Sequence, residues 1–171
     1  MIEEVFITPK MREIAHAKAA EMGTLRNSIS NGEGNVIGFL GELAANSIFG
    51  GSLENTYQYD ILLKDGRTVD VKSKRAKVKP LPYYECSVSA HNIKQECDFY
   101  CFVRVTNDLQ MAWVLGMIDK HEYYQKANFV PKGTIDGNNN FEIKGDCYNL
   151  KIQELHDLRY ITKCTFKLGK I

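Results

Sequence analysis

The chain has 171 residues, is 44% hydrophobic and carries nine Tyr and eight Phe, enough to bury one core and too apolar for a disordered chain. Its net charge of +1 excludes a polycation, so any affinity for nucleic acid must come from a local patch. No run approaches the ~20 apolar residues of a membrane span, and the opening "MIEEVFITPK" lacks the basic start and apolar centre of a signal peptide. A single domain over residues 1–171, cytosolic and without a membrane partner, is expected.

In chain order, "TPKMREIAHAKAAEMG" predicts a helix, with Thr8 capping, Pro9 at the first helical position and a stop at Gly23. "SISNGEGN" reads as a polar loop. "NVIGFLGELAANSIFGG" predicts a second helix, capped by Asn35 and ended by Gly50-Gly51, with Val36, Ile37, Leu40, Leu43, Ala44 and Phe49 at helical spacing. "YDILLKDGRTVDVKSKR" reads as a hairpin. Strands are expected at "YYECSVSA", "DFYCFVRV" and "MAWVLGM", a short helix at "DKHEYYQKA" and a turn-rich loop at "GTIDGNNNF", and the last thirty residues alternate weakly. Helices followed by a cluster of strands imply α+β, or a mixed sheet flanked by helices.

The hairpin has two candidate registers. A two-residue Asp65-Gly66 loop would mix charged and apolar groups on both faces. A three-residue loop, Lys64-Asp65-Gly66, places Gly66 in the left-handed position of a type I turn with a G1 bulge. Asp60 then faces Asp70, Ile61 faces Val69, Tyr59 faces Val71 and Gln58 faces Lys72. Tyr59, Ile61, Leu63, Val69 and Val71 form one apolar face, while Gln58, Asp60, Asp70 and Lys72 gather on the other. Because a one-residue slip exchanges the faces, this sorting favours the three-residue loop.

Two aspartates with Cβ atoms ~5 Å apart are costly, and at least one carboxyl pKa must rise unless a cation neutralises them. Lys72 supplies one positive charge. A divalent cation supplies more, since Mg²⁺ is typically held by one or two carboxylates together with water or phosphate. The plainer alternative is an edge hairpin whose polar face meets water. Lys72, Lys74, Arg75, Lys77 and Lys79 form a basic run that would suit phosphates or, equally, a solvated loop.

Glu42 in "GFLGELA", then Asp60, then Asp70-Val71-Lys72, resembles the PD-(D/E)XK nuclease superfamily, with Tyr59 in place of the proline. The spacing, eighteen residues from Glu42 to Asp60 and ten more to Asp70, is of the family's usual order. "DFYCFVRV" and "AWVLGMIDKHEYYQKANFVPKG" resemble later segments of small phage and bacterial members, so the likeness spans roughly residues 35–133. It implies a restriction-endonuclease-like αβββαβ core, with a mixed sheet of four or more strands flanked by helices.

The implied activity is Mg²⁺-dependent (Mn²⁺ as substitute) hydrolysis of DNA phosphodiesters, with no organic cofactor, in the cytoplasm or in a host's cytoplasm if phage-encoded. Glu42, Asp60, Asp70 and Lys72 would be catalytic. Asp60, Asp70, Glu42 and the Val71 carbonyl would hold the metal. Lys74, Arg75, Lys77 and Lys79 would contact DNA. A Holliday-junction resolvase, which would be a homodimer, an exonuclease, an RNA endonuclease and a non-catalytic nucleic-acid or protein-binding module remain alternatives.

The other polar residues carry less. Ser87, Ser89 and His91 alternate along a strand and receive no role. Tyr83-Tyr84 would either stack on bases or pack in the core. His16, His121 and His156 are isolated. Cys97 and Cys101 have a spacing a metal site can use, but a strand separates residues four apart by about 13 Å. Buried reduced thiols are therefore expected for the five cysteines, Cys86, Cys97, Cys101, Cys147 and Cys164.

Overall fold

A computed structural model describes residues 2–22, 33–54, 56–136 and 140–160. The predicted stop at Gly23, most of the "SISNGEGN" loop, residues 137–139 of the turn-rich loop, and Cys164 lie outside them. The chain is mixed α/β. Its elements are β1 (Glu3–Phe6), α1 (Pro9–Met22), α2 (Glu33–Phe49), β2 (Ser52–Leu53), β3 (Ile61–Leu62), β4 (Thr68–Ala76), β5 (Glu85–Ser89), β6 (Phe99–Thr106), β7 (Met111–Asp119), α3 (Lys120–Lys126), β8 (Asn128–Val130) and β9 (Cys147–Lys151). Short 3₁₀ turns cover Ala90–Lys94 and Ile152–Glu154. Among the described residues, no helix is long and apolar enough to cross a membrane.

Six strands form one sheet in the order β1-β7-β6-β4-β3-β2, and β5-β9-β8 form a second. Only β4 and β6 run parallel; the other pairs in both sheets are antiparallel, so the large sheet is mixed. Side chains alternate along β6. Phe99, Cys101, Val103 and Val105 enter a core shared with α1 and α2, while Tyr100 and Phe102 enter a second core with β5, α3 and β9. With both faces covered, "FYCFV" reads as a continuous apolar run rather than an alternating one.

The hairpin adopts the three-residue register: Ile61 pairs with Val69 and Leu62 with Thr68. Gly66 has φ +87°, its N–H donates to Leu63 O at 3.0 Å, and Leu63 N donates to Arg67 O at 2.8 Å. A side chain at Gly66 would be strained there. Ile61, Leu63, Val69 and Val71 share the helix-side core.

Several expectations need correction. Regular β3–β4 pairing ends at Ile61, so Tyr59 leaves the apolar face and packs against the second core. Gln58 does not face Lys72; its Oε1 accepts a hydrogen bond from Glu96 N at 2.7 Å. The polar face is not solvated either, because β4 is flanked by β3 and β6 and its outward side is covered by the second layer. Helix α2 already includes Glu33, which puts Asn35 inside the helix rather than at its cap. Thr8 caps α1 through Met11 N (3.2 Å), and Gly50 ends α2 at φ +64°, both as expected. Strands β1, β2 and β8 carry no sequence signal of their own because they are short edge segments held by pairing.

Candidate functional site

Helix α2 approaches the sheet at Gly41. A Cβ there would stand 1.8 Å from Ser73 Oγ on β4, so only glycine permits this contact. The next residue is Glu42, and the close approach carries its carboxyl to Asp60 and Asp70. All three sequence-predicted acids interact electrostatically.

Asp70 is 4% exposed. Its Oδ1 accepts from Gln95 Nε2 at 3.3 Å, and its Oδ2 lies 2.5 Å from Lys72 Nζ. The Lys72 ammonium is thus the partner of Oδ2, and it pulls against the burial of the Asp70 carboxyl. Across the hairpin, Asp60 Oδ2 accepts from Val71 N at 2.7 Å. The carboxylate thus stands where the Tyr59 carbonyl would continue the ladder. The Tyr59 carbonyl instead accepts from Thr56 Oγ1 at 2.7 Å.

Burial, aided by Asp70 and then Glu42, pushes the Asp60 carboxyl up to about 8. Burial also raises Glu42 to about 7, with Asp70 adding to the shift and Lys18 opposing it. Asp70 is raised by burial against the pull of Lys72, Gln95 and Lys120. The cluster therefore holds protons near neutrality that ordinary carboxyls have released, chiefly because burial disfavours the charged carboxylates and secondly because the acids repel one another.

Gln95, 5% exposed, has no sequence signal and is central to the geometry. Its Oε1 accepts from Lys72 Nζ (3.3 Å) and Asn92 Nδ2 (2.8 Å), while its Nε2 donates to Asp70 Oδ1 and to Tyr57 O (2.8 Å). Lys120 Nζ donates to the Gln95 carbonyl. One amide thereby holds both the acid and the base of the Asp-x-Lys segment. Only the folding of the 90–94 turn onto β4 brings it there. Lys18 and Lys120, also unforeseen, are the remaining cations close to the acids.

The basic run divides. Lys74 Nζ donates to Ser87 Oγ at 2.9 Å, and Lys79 is ion-paired with Glu4 at 2.6 Å on the far edge strand. Arg75 and Lys77 are exposed. Ser89 caps the following turn through His91 N (3.4 Å). Tyr83 and Tyr84 are 61% and 40% exposed, outside the core. His16 is exposed, His121 contacts Gln125 (2.9 Å) and His156 contacts Glu122 (2.8 Å). Cys86, Cys97, Cys101 and Cys147 are buried free thiols.

Among the described residues, no group of three or more His, Cys, Asp or Glu side chains, Glu42, Asp60 and Asp70 included, is placed to hold a metal ion by itself. A divalent cation that keeps water or phosphate ligands needs no all-protein cage. The chemistry of the donor set, three neighbouring carboxyls all raised in pKa, fits a small hard cation. Compared with known proteins, the chain matches no family model, and no curated protein is significantly similar to it.

Proposed function

We propose that this chain is a Mg²⁺-dependent DNA endonuclease of the PD-(D/E)XK type. The observation that carries the reading is the pairing of half-buried Asp60 with buried Asp70, both with raised carboxyl pKa, and Lys72 against Asp70. A structural ion pair would not need the second and third carboxyls. The succession α2, β2, β3, β4, β5, the turn at Ala90–Lys94, then β6 parallel to β4 supports an αβββαβ order if β5, which joins the second sheet, is an insertion and the second helix is reduced to a 3₁₀ turn.

Asp60 and Asp70 would hold the cation, with the Val71 carbonyl and Glu42 as further oxygen donors. When bound, the cation neutralises charge on the phosphate and makes a water more acidic. Lys72 aims its ammonium at the developing phosphate charge and orients the attacking water. Gln95 fixes the spacing between Asp70 and Lys72. Lys74, Arg75 and Lys77 grip the DNA backbone with little reading of sequence; Lys79, engaged by Glu4, contributes least.

The test is incubation of linear, nicked, branched and single-stranded DNA, and of RNA, with Mg²⁺ or EDTA. Cation-dependent DNA cleavage that falls about 10²–10⁴-fold in Lys72→Ala supports the assignment. Cleavage confined to branched DNA would narrow it to a junction resolvase. Binding without any cleavage, unchanged by Lys72→Ala, would replace it with a non-catalytic module.

A further inference from the structure

The register of β4 and β6 places Lys74 beside Arg104, on the same sheet face as Asp70 and Lys72. Arg104 is 7% exposed. Its guanidinium donates to Glu85 O (2.8 Å) and Val103 O (3.4 Å) and meets the Cys86 thiol; among the described residues it has no carboxylate partner. Burial, and then Arg104, pushes the Lys74 ammonium below the ordinary lysine value. The residue retains solvent exposure, so its ammonium is folded back onto the sheet from an open rim. The Glu85 carboxylate, which pulls the Lys74 value back up, accepts at its Oε2 from Asn149 Nδ2 at 2.6 Å. Buried charges are normally paired; here buried Arg104 adjoins the exposed-rim Lys74, and among the described residues the hydrogen-bond partners of both are neutral.

We propose that Lys74, Arg104 and Ser87 form a phosphate subsite that holds a backbone phosphate two base steps from the one at Asp70 and Lys72. Lys72 and Lys74 are two residues apart on one strand, about 7 Å, close to two base steps along a duplex axis at ~3.4 Å each. Arg104 supplies a planar donor face suited to phosphate oxygens, Lys74 a point charge at the rim and Ser87 a hydroxyl donor. This inference rests on the nuclease reading for the identity of the anion. It adds two residues, from β5 and β6, that lie outside the basic run.

The experiment measures binding of a labelled duplex by fluorescence anisotropy in EDTA, over a series of NaCl concentrations. The full chain is compared with Lys74→Met, Ser87→Ala and the exposed-turn control Lys64→Met. Lys74→Met is expected to reduce the slope of log K against log salt by about one and to weaken binding about tenfold, with a smaller loss for Ser87→Ala and none for Lys64→Met. An unchanged slope in Lys74→Met, with its melting curve intact, overturns the subsite. Mg²⁺ cleavage assays run in parallel separate the two ideas. A lost slope without any cleavage in the parent chain leaves a phosphate site and removes the nuclease; cleavage with an unchanged slope does the reverse.

Discussion

Replacing Glu42 by Gln tests the electrostatics of the site without requiring activity. The carboxyl is raised from 4.5 to about 7, chiefly by burial and then by Asp70. The folded chain therefore keeps a proton that the unfolded chain has already released between those values. Its stabilising contribution is full below about pH 4.5 and is lost as pH rises through about 7. The separation corresponds to about 3 kcal/mol in all, of which about 2 kcal/mol falls between about pH 5.5 and about pH 8.5. Glutamine keeps the shape but does not titrate. In urea melts without metal, the stability of Glu42→Gln relative to the parent should thus improve by about 2 kcal/mol across that interval, or about 4–8 °C in Tm. Parallel pH profiles for the two proteins would refute the buried, mutually repelling cluster.

The remaining predictions concern the metal, the Gln95 clamp, the Asp60 carboxylate and the helix contact. Because protons and cation compete for the same oxygens, the rise in Tm on adding Mg²⁺ should be larger at about pH 8.5 than at about pH 6, and should shrink in Asp60→Asn. Calorimetric scans with and without EDTA check this. Asp60→Asn itself should keep the hydrogen bond from Val71 N through its amide oxygen and lose no stability at about pH 8.5, while cleavage disappears in a plasmid assay. Gln95→Ala removes the partner of both Asp70 and Lys72 and should cost about 2 kcal/mol by denaturant titration. Gly41→Ala drives a methyl into Ser73 and should cost about 1–3 kcal/mol, most of it recovered in the double variant with Ser73→Gly.

Much of the site was legible because its parts are local. The three-residue turn, the sorting of Asp70 and Lys72 away from Val69 and Val71, and the helix bearing Glu42 all follow from periodicity and from Gly66. The pattern misplaces Tyr59 and Gln58 because alternation stops at Ile61, where a side-chain carboxylate takes over a ladder hydrogen bond. Nothing in a one-dimensional pattern announces such an exchange.

The order of residues by itself determined the hairpin register, both long helices, the interior strands and the candidate acids, since each depends on near neighbours and on one apolar face seeking burial. Only the tertiary structure decided that β4 is interior, that a second layer buries Asp70, that Gln95 clamps Asp70 and Lys72, and that Arg104 lies beside Lys74. Those relations join segments tens of residues apart. Their energies come from excluding water and from charges left without partners, and neither exists until the layers close.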